Sequence, residues 1–271
     1  MEYRNTFIYN IVRRIWYRFK HEYTVNNYLN RRRYKSSFQS LKGIHKGERC
    51  FIIGNGPSLT ANDLTLLKNE KTFAANRIFY IFDKTEWRPT YYCTQDLVVM
   101  KDISSHIEDV CGICKNLFLN SNGYDYFGAS VKRHDNVLFF YPKYKNGHKK
   151  YLFSDDISNY VFDGGSITYA AIQIAVYMGF SEIYLIGVDH NYSSASFKDN
   201  KINSSDVARS YFEGMPSNIK MTKPNTEDST LSFAIAKEYC DNHNIIIKNA
   251  TRGGKLDVFQ RVTLDEVLEK S

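Results

Sequence analysis

Four short polar runs, each following an apolar stretch, hold residue types suited to group-transfer chemistry. Gly54-Asn55-Gly56-Pro57-Ser58-Leu59 follows Cys50-Phe-Ile-Ile53. Glycines let the backbone approach a ligand, and a following helix offers free amides to phosphate. The same residues also suit a plain tight turn. Asn76-Arg77 follows residues 71–75, and an asparagine there can read a base or ribose edge or cap a helix. Thr94-Gln95-Asp96 follows Tyr91-Tyr-Cys93; Asp96 can bind ribose hydroxyls, a metal or an acceptor, or cap the next helix. Asp189-His190-Asn191-Tyr192 follows Glu182–Ile186. A histidine titrates near neutrality, so Asp189 and His190 can do acid–base work, or His190 can simply tie down its loop. Gly164-Gly165-Ser166 opens a helix whose N-terminus can face the same crevice.

Several chemistries are disfavoured. The chain has no GxGxxG, Walker GxxxxGK[ST], GxSxG, HExxH or DxD pattern. His21, His45, His106, His134, His148 and His243 form no metal-ligand spacing, so neither a catalytic metal nor a resident cofactor is expected. The five cysteines are odd in number and scattered. Cys111-Gly-Ile-Cys114 lacks the context of a zinc or thioredoxin site. With no secretory signal pattern at the start, free thiols in a reducing cytoplasmic compartment are expected.

The elements that must position these residues follow from periodicity. Residues 49–53 and 182–186 are continuous apolar runs, as in strands buried on both faces. Further strands fit 71–75, 91–93, 115–119, 137–140 and 245–248, and helices fit 61–68, 97–111, 166–178 and 226–243. Gly179 suits the stop of the third helix, and Thr263-Leu-Asp-Glu266 is a capping box. The pattern predicts an α/β, Rossmann-like domain over 47–271, with a mostly parallel sheet, helices on both faces and a polar lid at about 191–226.

The net charge of +7 is unevenly spread. Residues 1–46 hold eleven Lys and Arg against two Glu, which leaves 47–271 at −2. Nucleic acid is therefore not an expected partner. Within 7–19 an apolar stripe of Phe, Ile, Val and Trp recurs at helical period beside Arg4, Arg14 and Arg18. Such a basic amphipathic helix, within residues 4–35, can lie on an anionic membrane surface, pack on the domain or pair with a second copy. Residues 31–48 read as a polar linker.

Together these runs resemble the MptE-like superfamily, known from bacterial surface-polysaccharide gene clusters. The resemblance rests on Phe51–Leu59, Ala75-Asn-Arg-Ile-Phe79, Pro89–Tyr92 with Asp96, Gly164–Ile167, Ile183–His190 and Asn249-Ala-Thr-Arg-Gly-Gly-Lys-Leu256. Archaeal members are 6-hydroxymethylpterin diphosphokinases that use ATP and magnesium. Bacterial sialyltransferases of glycosyltransferase family 42 are similar in the same places.

The resemblance implies that Gly54, Asn55, Gly56, Ser58, Asn76, Gly165 and Ser166 contact a nucleotide. It further implies a glycosyltransferase with a nucleotide-activated, CMP-linked donor and a glycan or lipid-linked acceptor, at the inner face of the bacterial inner membrane. A magnesium-dependent diphosphokinase using Asp96 and Asp189 is the alternative, and a non-catalytic nucleotide- or glycan-binding protein a third. The lid histidine that serves those sialyltransferases as base has no counterpart in Asn218–Thr226. His190 is therefore the candidate base, and Asn191, Tyr192, Tyr211, Lys220 and Lys223 are candidates for holding phosphate.

Overall fold

The computed structural model describes residues 15, 16, 19, 23, 32–144, 152–192, 197, 198 and 201–269. Its centre is a parallel sheet of eight strands in the order β12-β11-β8-β1-β2-β3-β4-β5. The strands are β1 (Arg49–Ile53), β2 (Thr72–Ala75), β3 (Tyr91–Thr94), β4 (Asn116–Asn120), β5 (Val137–Phe140), β8 (Glu182–Ile186), β11 (Ile246–Asn249) and β12 (Gln260–Arg261). A short parallel pair, β6 (Pro142–Lys143) and β7 (Val161–Phe162), and an antiparallel pair, β9 (Phe197–Lys198) and β10 (Lys201–Ile202), lie outside it. This is the Rossmann-like α/β architecture that the apolar runs predict.

The continuous apolar runs have a simple cause. In β1, Phe51 and Ile53 enter the core on one face of the sheet, while Cys50 and Ile52 enter the core on the other. Both faces are covered from Cys50 to Ile53, so those positions are apolar, and only Arg49, at the strand's start, reaches a partner, Glu70.

Topology sets the site. From β1 the chain adds β2 to β5 on one side, then returns to add β8, β11 and β12 on the other. Strand order therefore reverses between β1 and β8. Crevices of open α/β sheets form at such a reversal, beyond the carboxyl ends of the strands.

The helices are α1 (Arg32–Gln39), α2 (Ala61–Leu66), α3 (Leu97–Asp102), α4 (Ile107–Cys111), α5 (Ala129–Arg133), α6 (Ile167–Tyr177), α7 (Ser204–Ser210), α8 (Thr226–Asn242) and α9 (Leu264–Leu268), of which α3, α6, α7 and α8 line the crevice. Helix α6 is buried along nearly its whole length. The Ser166 hydroxyl caps its start by accepting from the Thr168 amide, and Gly179, at φ +93°, ends it.

Three expectations change. Residues 32–48 are not a linker: they contain α1, Phe38 is fully buried, and the chain then closes the end of α6. The Gly43 and His45 amides donate to the Tyr177 and Met178 carbonyls at 3.1 and 2.8 Å. Residues 97–111 are two helices, not one. Ser104 Oγ donates to the Lys101 carbonyl at 3.0 Å, a local bond that competes with helical pairing where α3 stops. The lid stretch is also more ordered than its polarity suggests. It includes α7 and buries Ile202, Val207, Tyr211, Phe212, Ile219 and Met221.

The N-terminal helix expectation falls mostly outside the described residues; Ile15, Trp16, Phe19 and Tyr23 are helical and exposed. Among the described residues no helix is long and apolar enough to cross a membrane.

Candidate functional site

A cavity of about 520 Å³ opens at the strand-order reversal. The ends of β1, β2, β3 and β8, the starts of α6 and α8, and part of the lid line it. Of the residues singled out in the sequence, Gly54, Asn55, Gly56, Asn76, Asp96, Gly165, Ser166, Asp189, His190, Asn191, Tyr192, Tyr211 and Lys223 all line this one space. Ser58 stands just behind it, bonded to Asp189.

The glycine turn is built by close contact with the end of β8. The Gly54 and Gly56 amides donate to the Ile186 and Gly187 carbonyls, each at 2.8 Å. A Cβ at residue 54 would fall 2.2 Å from the Gly187 oxygen. The glycines thus serve the approach of two strand ends, which the sequence could not separate from approach to a ligand. Asp189 Oδ2 accepts from Ser58 Oγ at 2.7 Å, which pins the turn. Burial pushes the Asp189 carboxyl above its ordinary value, and the bonds from Ser58 partly offset this.

The segment after β11 braces the same turn. Arg252 makes a two-pronged ion pair with Asp63, at 2.7 and 2.5 Å, and donates to the Ser58 carbonyl at 2.9 Å. The Lys255 amide and Thr251 hydroxyl hold Asp189 and Val188. The Asn249–Leu256 stretch is therefore a brace for the turn.

Two asparagines face the cavity with unmet capacity. Asn55 donates from Nδ2 to the Ala75 carbonyl at 3.0 Å and accepts at its own carbonyl from Phe212. Its buried Oδ1 has no partner. Asn76 sits in the left-handed region at φ +52°, with Oδ1 held by the Thr94 hydroxyl at 3.0 Å and its carbonyl by the Tyr92 hydroxyl. This leaves the Asn76 Nδ2 donors for a ligand. Strain of this kind is held at functional sites when its surroundings over-determine it.

His190 is the other strained crevice residue, at φ +54°. Thr230 gives its proton to the Thr226 carbonyl at 2.8 Å, so His190 Nε2 donates to Thr230 Oγ1 at 2.8 Å. The lone pair is then on Nδ1. Burial depresses the His190 pKa, so the ring is neutral at physiological pH.

Asp96 is engaged by protein. Its oxygens cap the Val98 and Val99 amides of α3 and accept from the Thr222 amide and hydroxyl. Lys220 does not line the cavity. Its carbonyl takes the buried Arg77 guanidinium, which also pairs with Asp102 at 2.6 Å. Tyr192 lines the cavity with its pKa raised to about 12 by burial, and Tyr211 packs against it edge to face. Asp163, not singled out beforehand, also lines the site, as does Gln95 of the Thr94-Gln95-Asp96 run. The sequence signal for Asp163 was its place directly before Gly164-Gly165-Ser166.

A model of the 6-hydroxymethylpterin diphosphokinase MptE-like family matches residues 23–195. The chain belongs to this family. No curated protein matches it by sequence. Among solved structures, the MAf glycosyltransferase from Magnetospirillum magneticum AMB-1 is similar at 15% identity and a TM-score of 0.48, over 85% of this chain. The chain spans 38% of that protein's length.

The resemblance to the archaeal diphosphokinases implies magnesium with ATP, so the carboxylates of this MptE-like crevice bear on whether protein could hold the ion. Asp96 has both oxygens on α3 and Thr222, and Asp189 is tied to Ser58. No group of three or more metal-ligating side chains occurs among the described residues. Asp96 and the Oδ2 of Asp189 are thus taken up by protein contacts, while Asp163 keeps one oxygen uncommitted, the single carboxylate ligand that magnesium takes beside substrate phosphates.

Proposed function

We propose that the protein is a glycosyltransferase of surface-polysaccharide synthesis that transfers a sugar from a nucleotide-activated, CMP-linked donor to a glycan or lipid-linked acceptor. The observation that carries this reading is the pair Asn55 and Asn76. Both stand at the strand-order reversal with unmet hydrogen-bonding capacity, one buried and one held in a strained backbone. Of the pair, Asn76 Nδ2 is the group left open in this concave site, and such groups fix the orientation of a ligand, while the orphaned Asn55 Oδ1 lies buried beside it.

In this reading the nucleotide lies across Gly54–Ser58 and Asn76. The leaving phosphate faces the starts of α6 and α8, with Lys223 and Tyr192 beside it. Helix N-termini and a lysine balance the charge that develops as the glycosidic bond to phosphate breaks. Transfer is metal-independent and uses no resident cofactor. The acceptor hydroxyl must lose a proton as the new bond forms, and neutral His190 is one group able to take it. Ile15, Trp16, Phe19 and Tyr23, exposed on the N-terminal side, support a seat on the inner face of the cytoplasmic membrane, near a lipid-linked acceptor.

The family description favours a second reading, a diphosphokinase acting on a pterin-like alcohol. Both readings need a nucleotide in the same crevice. A thermal-shift series with CMP, UDP, GDP and ATP, with and without magnesium, separates them. Ligand at 100 times its dissociation constant adds about 2.7 kcal/mol. Stabilisation by CMP without magnesium, and turnover that survives EDTA, is the expected result. Magnesium-dependent stabilisation by ATP alone favours the diphosphokinase, and silence with every nucleotide removes both.

A further inference from the structure

Three carboxylates border the crevice: Asp96, Asp163 and Asp189. Asp96 has both oxygens engaged by protein, and Asp189 Oδ2 takes Ser58 and fills the space beside Gly56, so that carboxylate braces the glycine turn. Asp163 stands instead at the start of α6. Its Oδ1 accepts from the Gly165 amide at 2.8 Å and from Gln95 Nε2 at 3.2 Å. Among the described residues no group donates to its Oδ2. One oxygen is therefore fixed by two elements, the β3 end and the α6 start, while the other is open to the cavity.

Resting on the group-transfer reading, we infer that Asp163 is the catalytic base, taking the acceptor hydroxyl on its open Oδ2. The step balances. The hydroxyl proton passes to Oδ2, and the oxygen lone pair forms the bond to the electrophilic centre of the donor. The donor's bond to phosphate oxygen breaks, and its electron pair leaves with the nucleotide. The same base serves whether the electrophile is a sugar carbon or a phosphorus atom.

Geometry favours Asp163 over His190. The His190 ring is tied to the start of α8 through Thr230 and lies edge-on to Phe233 at 5.8 Å. Asp163 sits beside the N-terminus of α6, next to Gly165 and Ser166, with an oxygen that no other described residue claims. Burial and the nearby Asp96 charge raise the Asp163 pKa, while the bonds from Gly165 and Gln95 hold it down. That gives a stronger base than an ordinary carboxylate. The other charged or titratable groups around the crevice are Asp189, His190, Arg77, Lys223, Tyr144, Tyr192 and Tyr211.

The test compares wild type with Asp163→Asn, which keeps an acceptor for the Gly165 amide. Binding is read by thermal shift with CMP, UDP, GDP and ATP. Turnover is read as free nucleotide released from CMP-, UDP- and GDP-sugars and from ATP, with water or monosaccharides as acceptors. Asp163→Asn is expected to keep the nucleotide shift while release falls about 100-fold or more. The acid limb of the wild-type pH–rate profile, shifted up from the ordinary aspartate value, is expected to vanish. Gln95→Leu, which removes one donor to Oδ1, moves that limb further up. Release by Asp163→Asn close to wild type overturns the proposal, and so does loss of binding in step with release. Wild type that neither binds nor cleaves any of these compounds overturns the group-transfer reading instead.

Discussion

The carboxylate of Asp189 fills the space that a side chain at residue 56 would need: a Cβ there falls 1.9 Å from Asp189 Oδ2. The turn after β1 and the end of β8 are therefore one rigid unit, joined by the bond from Ser58 to Asp189. Gly56→Ala should push Asp189 off Ser58 and cost about 1–3 kcal/mol, the range for overpacking. Urea unfolding measures this directly. Nucleotide-dependent stabilisation should fall in the same variant, because Asn55 is displaced with the turn. A variant as stable as wild type would show that the two segments are free to separate.

Asn76 separates backbone need from side-chain need. At φ +52° a residue with a Cβ is strained by about 1–2 kcal/mol, and glycine is not. Asn76→Gly should therefore be more stable than Asn76→Ala, although both lose the bond from Thr94. Both should lose nucleotide-dependent stabilisation, since each lacks the Nδ2 donors. Equal stability of the two variants in urea would mean that the backbone strain is not felt.

How much of this was legible beforehand depends on the kind of signal. Buried parallel strands declare themselves because neither face tolerates polarity, so β1 and β8 could be read directly from Phe51–Ile53 and Ile183–Ile186. Strand ends declare candidate chemistry because a core has no use for Asn76, Asp96 or His190. What sequence cannot give is the partner of each polar group. Asp96 reads equally as a ligand or a cap, and only the Thr222 contact from a segment 126 positions away shows how it is engaged. The lid misled for the same reason: its buried Tyr211, Phe212 and Met221 are spaced with no period, because they pack on a crevice rim and not on a flat face. Asp163 went unnoticed because its place in the crevice depends on where α6 starts and on Gln95, 68 positions away, both of which hold its Oδ1.

The lid is held by a buried cation. Arg77 is 2% exposed, pairs with Asp102 and donates to the Lys220 carbonyl. Arg77→Met keeps bulk but removes both bonds and leaves Asp102 with only the Lys220 amide, at 3.4 Å. A loss of about 3 kcal/mol is expected. Limited proteolysis should find new cleavage within 213–225 before the rest of the domain is cut. A lid that stays resistant while global stability drops would place the anchoring in Tyr211 and Phe212 instead.

His190 carries a pH signature of opposite sign to that of a paired histidine. Burial disfavours the imidazolium in the folded protein, so the folded pKa lies below the ordinary value of 6.5. Above that ordinary value both folded and unfolded chains hold the ring neutral, and its contribution to stability is fully present. As pH falls through 6.5 the unfolded chain takes up the proton first, and stability is lost until the folded pKa is passed. Asparagine tolerates left-handed backbone and does not titrate there, so His190→Asn should flatten the decline in stability between about pH 6.5 and 5. Urea midpoints across that window measure the difference. The ring's Cε1 proton, followed by NMR, should titrate below 6.5 in wild type. A midpoint at or above that value would mean that the imidazolium has found a partner in the crevice, and Asp189, the carboxylate next to it in the chain, would be the first to test by substitution.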